Sequence, residues 1–497
     1  MKYFILGLIL VSQLFGQVLF KDGFKLKKES LPSGDSETIL GNGIVDILIV
    51  QDSIVFAGTG YGLNMTVDKG QSWSNFTSKN YKGKGGVSAM ALMGESTVWI
   101  ATAYDTLIRE DNLSAGGGLS YTSDFGETWY HIPQPRDPNL SSDSLGYSPT
   151  TTNVQNLSYD IAVLDSTIWI ASFGGGLRKS EDMGQTWRVK TTDGLPFSSL
   201  NHLNHRAFSL LTENGNIWVG TAHGISKSSN AGATWDRFTH QNQTYPISGN
   251  FVVALGYQQY VKSSGDTIKT IWAATIEATD GDEVRAVSKS VNGGETWEVM
   301  LEGTFPHNFA FDDSIVYVAA DEGLFISNNG RKNWYNLPPI LDPLTGEEVL
   351  TETYYSAGIS HHQLEKLLWV GSADGLASTY DNGNTWKVHR SYQSTQSSSA
   401  PNAYAYPSPF SPSRHDYIRF QYDIQQAGEV VIDVYDFAMD KVASIKEYES
   451  SPMGNTPDRS AKWDGRNSKG DVAASGVYFF RVKVASEVTW GKLVIIN

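Results

Sequence analysis

The chain has 497 residues, room for more than one domain. With 40% apolar and 12% aromatic residues it must form packed globular domains rather than disorder. A formal net charge of -15 argues against a nucleic-acid groove or an anionic membrane surface as partner, and the absence of Cys excludes disulfides and Cys-ligated metals.

Residues 1–16 read as a secretory signal: Lys2 gives the positive start, 4–11 is an apolar run, and Gly16 before Gln17 is a cleavage point. Residues 17–40 form a lead-in. No other stretch is long and apolar enough to cross a bilayer, so no transmembrane segment is expected in the mature chain.

From 41 to 390 one pattern recurs seven times, and a repeat of this length is the first thing to interpret in a sequence. Its clearest form is T-S-D-F-G-E-T-W, with Asp124 and Trp129. Related copies hold Asp68 and Trp73, Asp182 and Trp187, Asn230 and Trp235, Asn292 and Trp297, Asn329 and Trp334, and Asp381 and Trp386. The Asp or Asn side chain can accept backbone N–H bonds from just ahead, the Gly permits positive φ, and the hydroxyl adds a second local bond. The Trp opens the next strand with a large apolar face. Each copy therefore predicts a structural hairpin clamp. The copy at Trp334 departs, with Arg331 in place of Gly and Asn333 in place of Thr, and predicts a looser clamp.

Short runs rich in β-branched and aromatic residues precede each clamp: 44–50 with 54–57, 87–93 with 98–101, 161–164 with 168–171, 208–211 with 217–220, 251–255 with 271–274, 309–311 with 315–319, and 357–360 with 367–371. A third strand follows a Gly-Leu or Gly-Ile pair in six units, and the clamp leads into a fourth. Seven four-stranded units predict a seven-bladed β-propeller. The strand-two aromatic stands 17 residues before the clamp Trp in four units, as from Trp218 to Trp235. The interval is 30 from Trp99 to Trp129 and 25 from Trp272 to Trp297, so blades two and five carry insertions.

The pattern S-x-D-x-G-x-T-W resembles the Asp-box (BNR repeat) of sialidases, xyloglucan-degrading glycoside hydrolases, sortilin-type receptors and photosystem II assembly factors. That resemblance implies a clamp between the third and fourth strands of each blade. The long connections 103–118, 133–157, 191–206, 276–285 and 338–355 then fall on the opposite face, and only 256–270 lies on the clamp side. One elaborated face implies a ligand-facing side.

That face offers Asp105 and Asp111, with Glu110, in blade two, and Asp280 and Asp282, with Glu283, in blade five. Such carboxylates are the candidate catalytic pair of a glycosidase. Arg109, Arg206, Arg285, His205, Tyr354 and Tyr355 are candidate ligand-binding residues. Sialidases carry an R-I-P motif and an Arg triad; there is no R-I-P here, and the three arginines match no family motif, so that activity is not carried over. Asp280-Gly-Asp282-Glu283 and the pair His202 and His205 are short of a full ligand set, and neither a metal nor a cofactor is expected.

Residues 391–402 form a Ser-rich linker. Strands at 417–422, 429–436 and 441–448 and a closing run at 492–497 predict a small Ig-like β-sandwich over 403–497. Y-P-S-P-F-S-P from Tyr406, W-D-G-R-N-S-K-G from Trp463 and A-S-G-V-Y-F from Ala474 resemble the Ig-like module of flagellar hook-capping proteins and the C-terminal sorting domains of the type IX secretion system. This implies the type IX machinery as a partner, and a secreted or outer-membrane surface protein of a Gram-negative bacterium. The expected architecture is all-β, a seven-bladed propeller followed by the sandwich. The expected function is binding of an extracellular glycan or protein by a monomer; a glycoside hydrolase acting on an extracellular polysaccharide and an assembly factor for an exported complex are the alternatives.

Overall fold

A computed structural model describes residues 34–36, 38–109, 111–138, 147–278, 281–328, 330, 333–344, 347–362, 365–391, 403–413, 415, 417–422, 427–449 and 460–496. The signal-like segment, Glu110, Asp280, Asn329, Arg331 and the stretch 392–402 lie outside the described residues.

The described chain is nearly all strand, and seven successive antiparallel sheets make a β-propeller. Blade one holds β1 (Gly34–Ser36), β2 (Ile44–Val50), β3 (Ile54–Thr59), β4 (Gly62–Thr66) and β5 (Trp73–Phe76), and one turn of helix, α1 (Ser78–Tyr81), leaves it. Blade two holds β6 (Gly86–Met93), β7 (Thr97–Ile108), β8 (Asp111–Thr122) and β9 (Tyr130–Ile132). Blade three holds β10 (Ser158–Leu164), β11 (Thr167–Ser172), β12 (Gly176–Ser180) and β13 (Arg188–Lys190). Blade four holds β14 (Ala207–Glu213), β15 (Asn216–Thr221), β16 (Gly224–Ser228) and β17 (Asp236–Phe238). Blade five holds β18 (Phe251–Val261), β19 (Thr267–Ile276), β20 (Ala286–Ser290) and β21 (Glu298–Met300). Blade six holds β22 (Pro306–Asp312), β23 (Ile315–Ala320), β24 (Gly323–Ser327) and β25 (Tyr335–Asn336). Blade seven holds β26 (Tyr354–His362), β27 (Glu365–Ser372), β28 (Gly375–Thr379) and β29 (Lys387–His389).

The first strand of each blade packs on the first strand of the next, and β26 returns against β2, so the first strands ring a central channel. Both end blades are complete in themselves, so no strand is shared at the closure; it is made by side chains and by backbone bonds from Gly375 N to Asn42 O at 2.7 Å and from His361 N to Asp52 O at 2.6 Å. Leu367, Trp369 and Leu376 of blade seven join Ile44, Val55, Ala57 and Trp73 of blade one in a single apolar cluster.

The repeat turns explain how blades seal. In six of them a Ser or Thr hydroxyl donates to the Asp or Asn and accepts from the N–H of the Gly, as in Ser180 Oγ to Asp182 Oδ1 at 2.8 Å and Gly184 N to Ser180 Oγ at 2.9 Å. Met183 and Gly184 both have positive φ, and a Cβ on Gly184 would press on Ile132 of the blade before. The clamp Trp does the same on a larger scale. Trp235 meets Trp169, Trp334 meets Trp272, and Trp73 meets Trp369, all edge-on with ring centroids 6.2 to 6.3 Å apart. In the divergent sixth turn the buried Ser327 Oγ has no hydrogen-bond partner.

Several expected boundaries move. Residues 103–118 are not a loop, because β7 and β8 continue as one long hairpin paired out to Ile108 and Asp111. Residues 256–270 are likewise mostly strand, since β18 and β19 pair out to Val261 and Thr267. Strand β1 adds an unforeseen fifth strand outside β5. In six blades the fourth strand opens on the residue after the clamp Trp rather than on it. Ser391, taken as the start of the linker, is buried and its N–H donates to Asn42 Oδ1 at 2.7 Å.

After the propeller come two sheets, β30 (Ala403–Tyr406), β31 (Ile418–Tyr422) and β34 (Ser460–Trp463) in one, and β32 (Gly428–Tyr435), β33 (Lys441–Glu449), β35 (Gly476–Val484) and β36 (Glu487–Ile495) in the other. They close on a shared core that includes Phe410, Phe420, Ile432, Phe480 and Leu493, which makes a small β-sandwich. It is seated on blade seven by buried ions. Glu347 takes Arg390 at 2.8 Å and Arg419 of β31 at 3.3 Å, Asp374 pairs with both arginines, and Lys462 of β34 reaches Glu348 at 2.5 Å. Burial alone would raise the Asp374 carboxyl, but the two arginines hold it below its ordinary pKa. Part of the 338–355 connection therefore carries the sandwich. Among the described residues no helix is long and apolar enough to cross a membrane.

Candidate functional site at the channel mouth

Every first strand carries a bulge near its start. The extra residues are Val45, Ser88, Tyr159, Phe208, Val253, His307 and Tyr355, one from each blade. A bulge leaves one residue unpaired and re-aims its side chain. All seven line a cavity of about 260 Å³. In an antiparallel meander the strand two–three hairpins and the inter-blade connections share one end, and first strands begin there. The cavity is thus the mouth of the channel on the elaborated face.

The residue after the bulge is Asp46 in blade one, Asp160 in blade three and Asn308 in blade six, and all three line the cavity. Asp46 accepts from the N–H of Ile47 and from Met90 N of blade two, both at 2.9 Å. Asp160 accepts from Ile161 N at 2.8 Å and from Leu210 N of blade four at 2.7 Å. Each carboxyl thus ties two blades together while facing the cavity. Both are half-buried in the channel wall, and desolvation there pushes Asp46 up to about 6. Asp160 is pushed to about 8, by burial first and by the charge of Asp46 besides.

Aromatic side chains form much of the wall. Tyr159 lies 5.2 Å from Phe208, Phe305 lies 5.1 Å from His307, and His307 meets Tyr355 edge-on at 5.4 Å. His307 Nε2 pairs with Asp321 at 3.0 Å. Tyr355 is only 8% exposed, and its hydroxyl has no hydrogen-bond partner. Burial raises its pKa above the ordinary tyrosine value.

Of the described residues singled out from sequence, Tyr355 alone lines this cavity. Tyr354, its neighbour on β26, points the other way into the blade core. Arg206 donates to the carbonyls of Ser199 at 2.7 Å and Leu200 at 3.3 Å and covers the Phe173 ring, so it braces the connection into blade four. His205 is buried against Phe197. Its Nδ1 accepts from Ser198 N, so Nε2–H donates to Asp193. Burial works against the Asp193 carboxylate, yet bonds from His205 and Asn204 hold it at about 2. Asp105 accepts from Ser114 Oγ across the β7–β8 arm, while Asp111 and Arg109 stand exposed near its tip. Arg285 pairs with Glu277 at 2.6 Å, both well exposed. Asp282 is exposed, 3.8 Å from His240. Glu283 is buried and accepts from Asn250 N, Ala278 N and two side-chain amides, which makes it the organiser of its loop. Among the described residues no group of three or more His, Asp or Glu is placed to hold a metal ion.

The sequence did signal Asp46 and Asp160. Each is a lone acid inside an apolar strand, in I-V-D-I-L and S-Y-D-I-A.

The xyloglucanase Xgh74A of Acetivibrio thermocellus is 27% identical over 209 residues, which cover 37% of this chain and 23% of the enzyme. The chain thus spans about a quarter of the length of the curated relatives it matches. The crystal structure of an ancestral GH74 enzyme superposes with a TM-score of 0.50 at 14% identity, covering 92% of this chain and 63% of that one. A GH74 enzyme of Niastella koreensis superposes at 0.49 and 12% identity, over 94% and 75%. No protein-family model matches the chain. The superposition on the ancestral GH74 enzyme agrees with the propeller fold.

Proposed function

We propose that the chain is a secreted or surface-held glycan-binding propeller whose ligand site is the channel mouth. The observation that carries this reading is the seven-bulge ring: one cavity, lined from all seven blades, with aromatic walls and a few convergent polar groups. Aromatic faces suit the apolar faces of sugar rings, and concave sites of this make-up are the usual form of a ligand pocket. The xyloglucanase relative supports a glycan as the ligand class. Residues 1–16 and the sorting-domain-like motifs of the sandwich support export, with the type IX machinery as its route and the sandwich as sorting or anchoring module.

Binding is favoured over hydrolysis because each oxygen of Asp46 and of Asp160 already holds a backbone N–H, one from its own strand and one from the next blade. A glycoside hydrolase is the second reading, and one observation favours it: two carboxyls in one cavity with pKa values pushed to different heights suit an acid and a base. Calorimetry of the full chain with xyloglucan and other soluble glucan oligosaccharides, with reducing ends followed in parallel, tests both. Saturable binding without release is expected. Release that disappears in Asp160→Asn would install the second reading, and the absence of any binding would remove the first.

A further inference from the structure

The cavity holds two carboxyls and no cation of its own to pair with them. Asp46 and Asp160 face it together, and no lysine or arginine lines it. The one other titratable cation there, His307, is already paired with Asp321. Each carboxylate oxygen accepts one backbone N–H, which leaves acceptor capacity directed at the cavity. A second, independent feature points the same way. The Tyr355 hydroxyl is buried in the wall with no partner, although a buried polar group without one is costly.

We propose, building on the glycan reading above, that the channel mouth takes an amino-sugar residue: its ammonium group meets Asp46 and Asp160, and a hydroxyl of its ring pairs with Tyr355. An ammonium has three donors and no acceptor; it matches the Asp46 carboxylate directly, and its charge would draw from Asp160 the proton that burial holds there. The aromatic walls add attraction for a cation that they would not give a neutral sugar. A divalent metal fits less well, because hard cations require six or more oxygen ligands and the wall supplies two carboxyls, each already holding two N–H groups. The volume, about 260 Å³, suits one ring rather than a chain, with the rest of the glycan leaving over the elaborated face.

The test is calorimetric titration of the full chain at neutral pH with four probes: a glucosamine trimer, its N-acetylated counterpart, a neutral glucan trimer and tri-lysine. The glucosamine trimer is expected to bind at least about tenfold more tightly than the other three, and Tyr355→Phe to weaken it by about tenfold. Asp160→Asn should weaken it further; because Asp160 also ties blades three and four, Tyr355→Phe, which keeps the ring, decides the matter if that variant does not fold. Equal binding of the three sugars would overturn the ammonium proposal and leave the glycan reading standing. No binding of any sugar would remove both. Tri-lysine binding as well as the glucosamine trimer, or Tyr355→Phe binding like the parent, would overturn the proposal in favour of general attraction to an acidic protein.

Discussion

The clamp turns at the rim and the bulges at the channel use the same side chain in opposite ways. At the rim, Asp124 and Asp182 take bonds from the following Thr hydroxyl and N–H and from a preceding hydroxyl, and their pKa values fall to about 2. In the channel, Asp46 and Asp160 also hold two N–H groups each, yet their values rise to about 6 and about 8. The rim carboxyls have hydroxyl donors that the channel carboxyls lack. Hydroxyl bonds lower the rim carboxyls, whereas desolvation by the surrounding blades outweighs the bonds of the channel carboxyls. The rim thus uses Asp for turn stability, whereas the channel keeps two carboxyls in a state that a ligand could change.

The largest effect that separates the two regions is expected at the rim. Trp369→Ala removes the ring that meets Trp73 across the closure of the propeller, and should cost about 3–5 kcal/mol in denaturant unfolding. In the channel, Tyr355→Phe should cost almost nothing, since its hydroxyl has no partner to lose. Equal losses from the two would break the distinction.

Next in size is a pH effect of two opposite signs. A carboxyl with a raised folded pKa binds its proton more tightly when folded. The stability that Asp46 and Asp160 contribute is therefore present at acid pH and lost as the pH rises from about 4 through about 8. His389, stacked on Trp369 at the closure seam, is held by burial at about 3, so its contribution is present above about 6.5 and lost as the pH falls toward 3. Thermal melts across pH should show the midpoint falling on the alkaline side, and Asp160→Asn should flatten that limb alone. A variant that shifts both limbs equally would contradict the assignment. The smallest effect belongs to Asp182→Ala, which removes one exposed clamp of seven; its midpoint should drop slightly, by the same amount at pH 5 and pH 9.

The rim was legible in sequence because its chemistry is local: Asp, Gly, hydroxyl and Trp sit within eight residues, and the turn needs each of them. The channel was not, because a bulge made by an ordinary residue such as Tyr159 or His307 leaves no local mark, and the ring exists only once seven strands meet. Residues 103–118 were taken as a loop for a related reason. An arm exposed on both faces needs no alternation of apolar and polar residues, so polar residues from Asp105 to Asn112 conceal a paired hairpin. Arg206 and His205 show the converse, since polar residues in a connection can be its internal braces.

The most direct test of the account is a structure of the full chain with a bound oligosaccharide. The account predicts a sugar ring at the channel mouth, within hydrogen-bond distance of the Tyr355 hydroxyl and of Asp46 or Asp160. A sugar bound instead along the β7–β8 arm at Asp105 and Asp111, with the channel mouth unchanged, would contradict it.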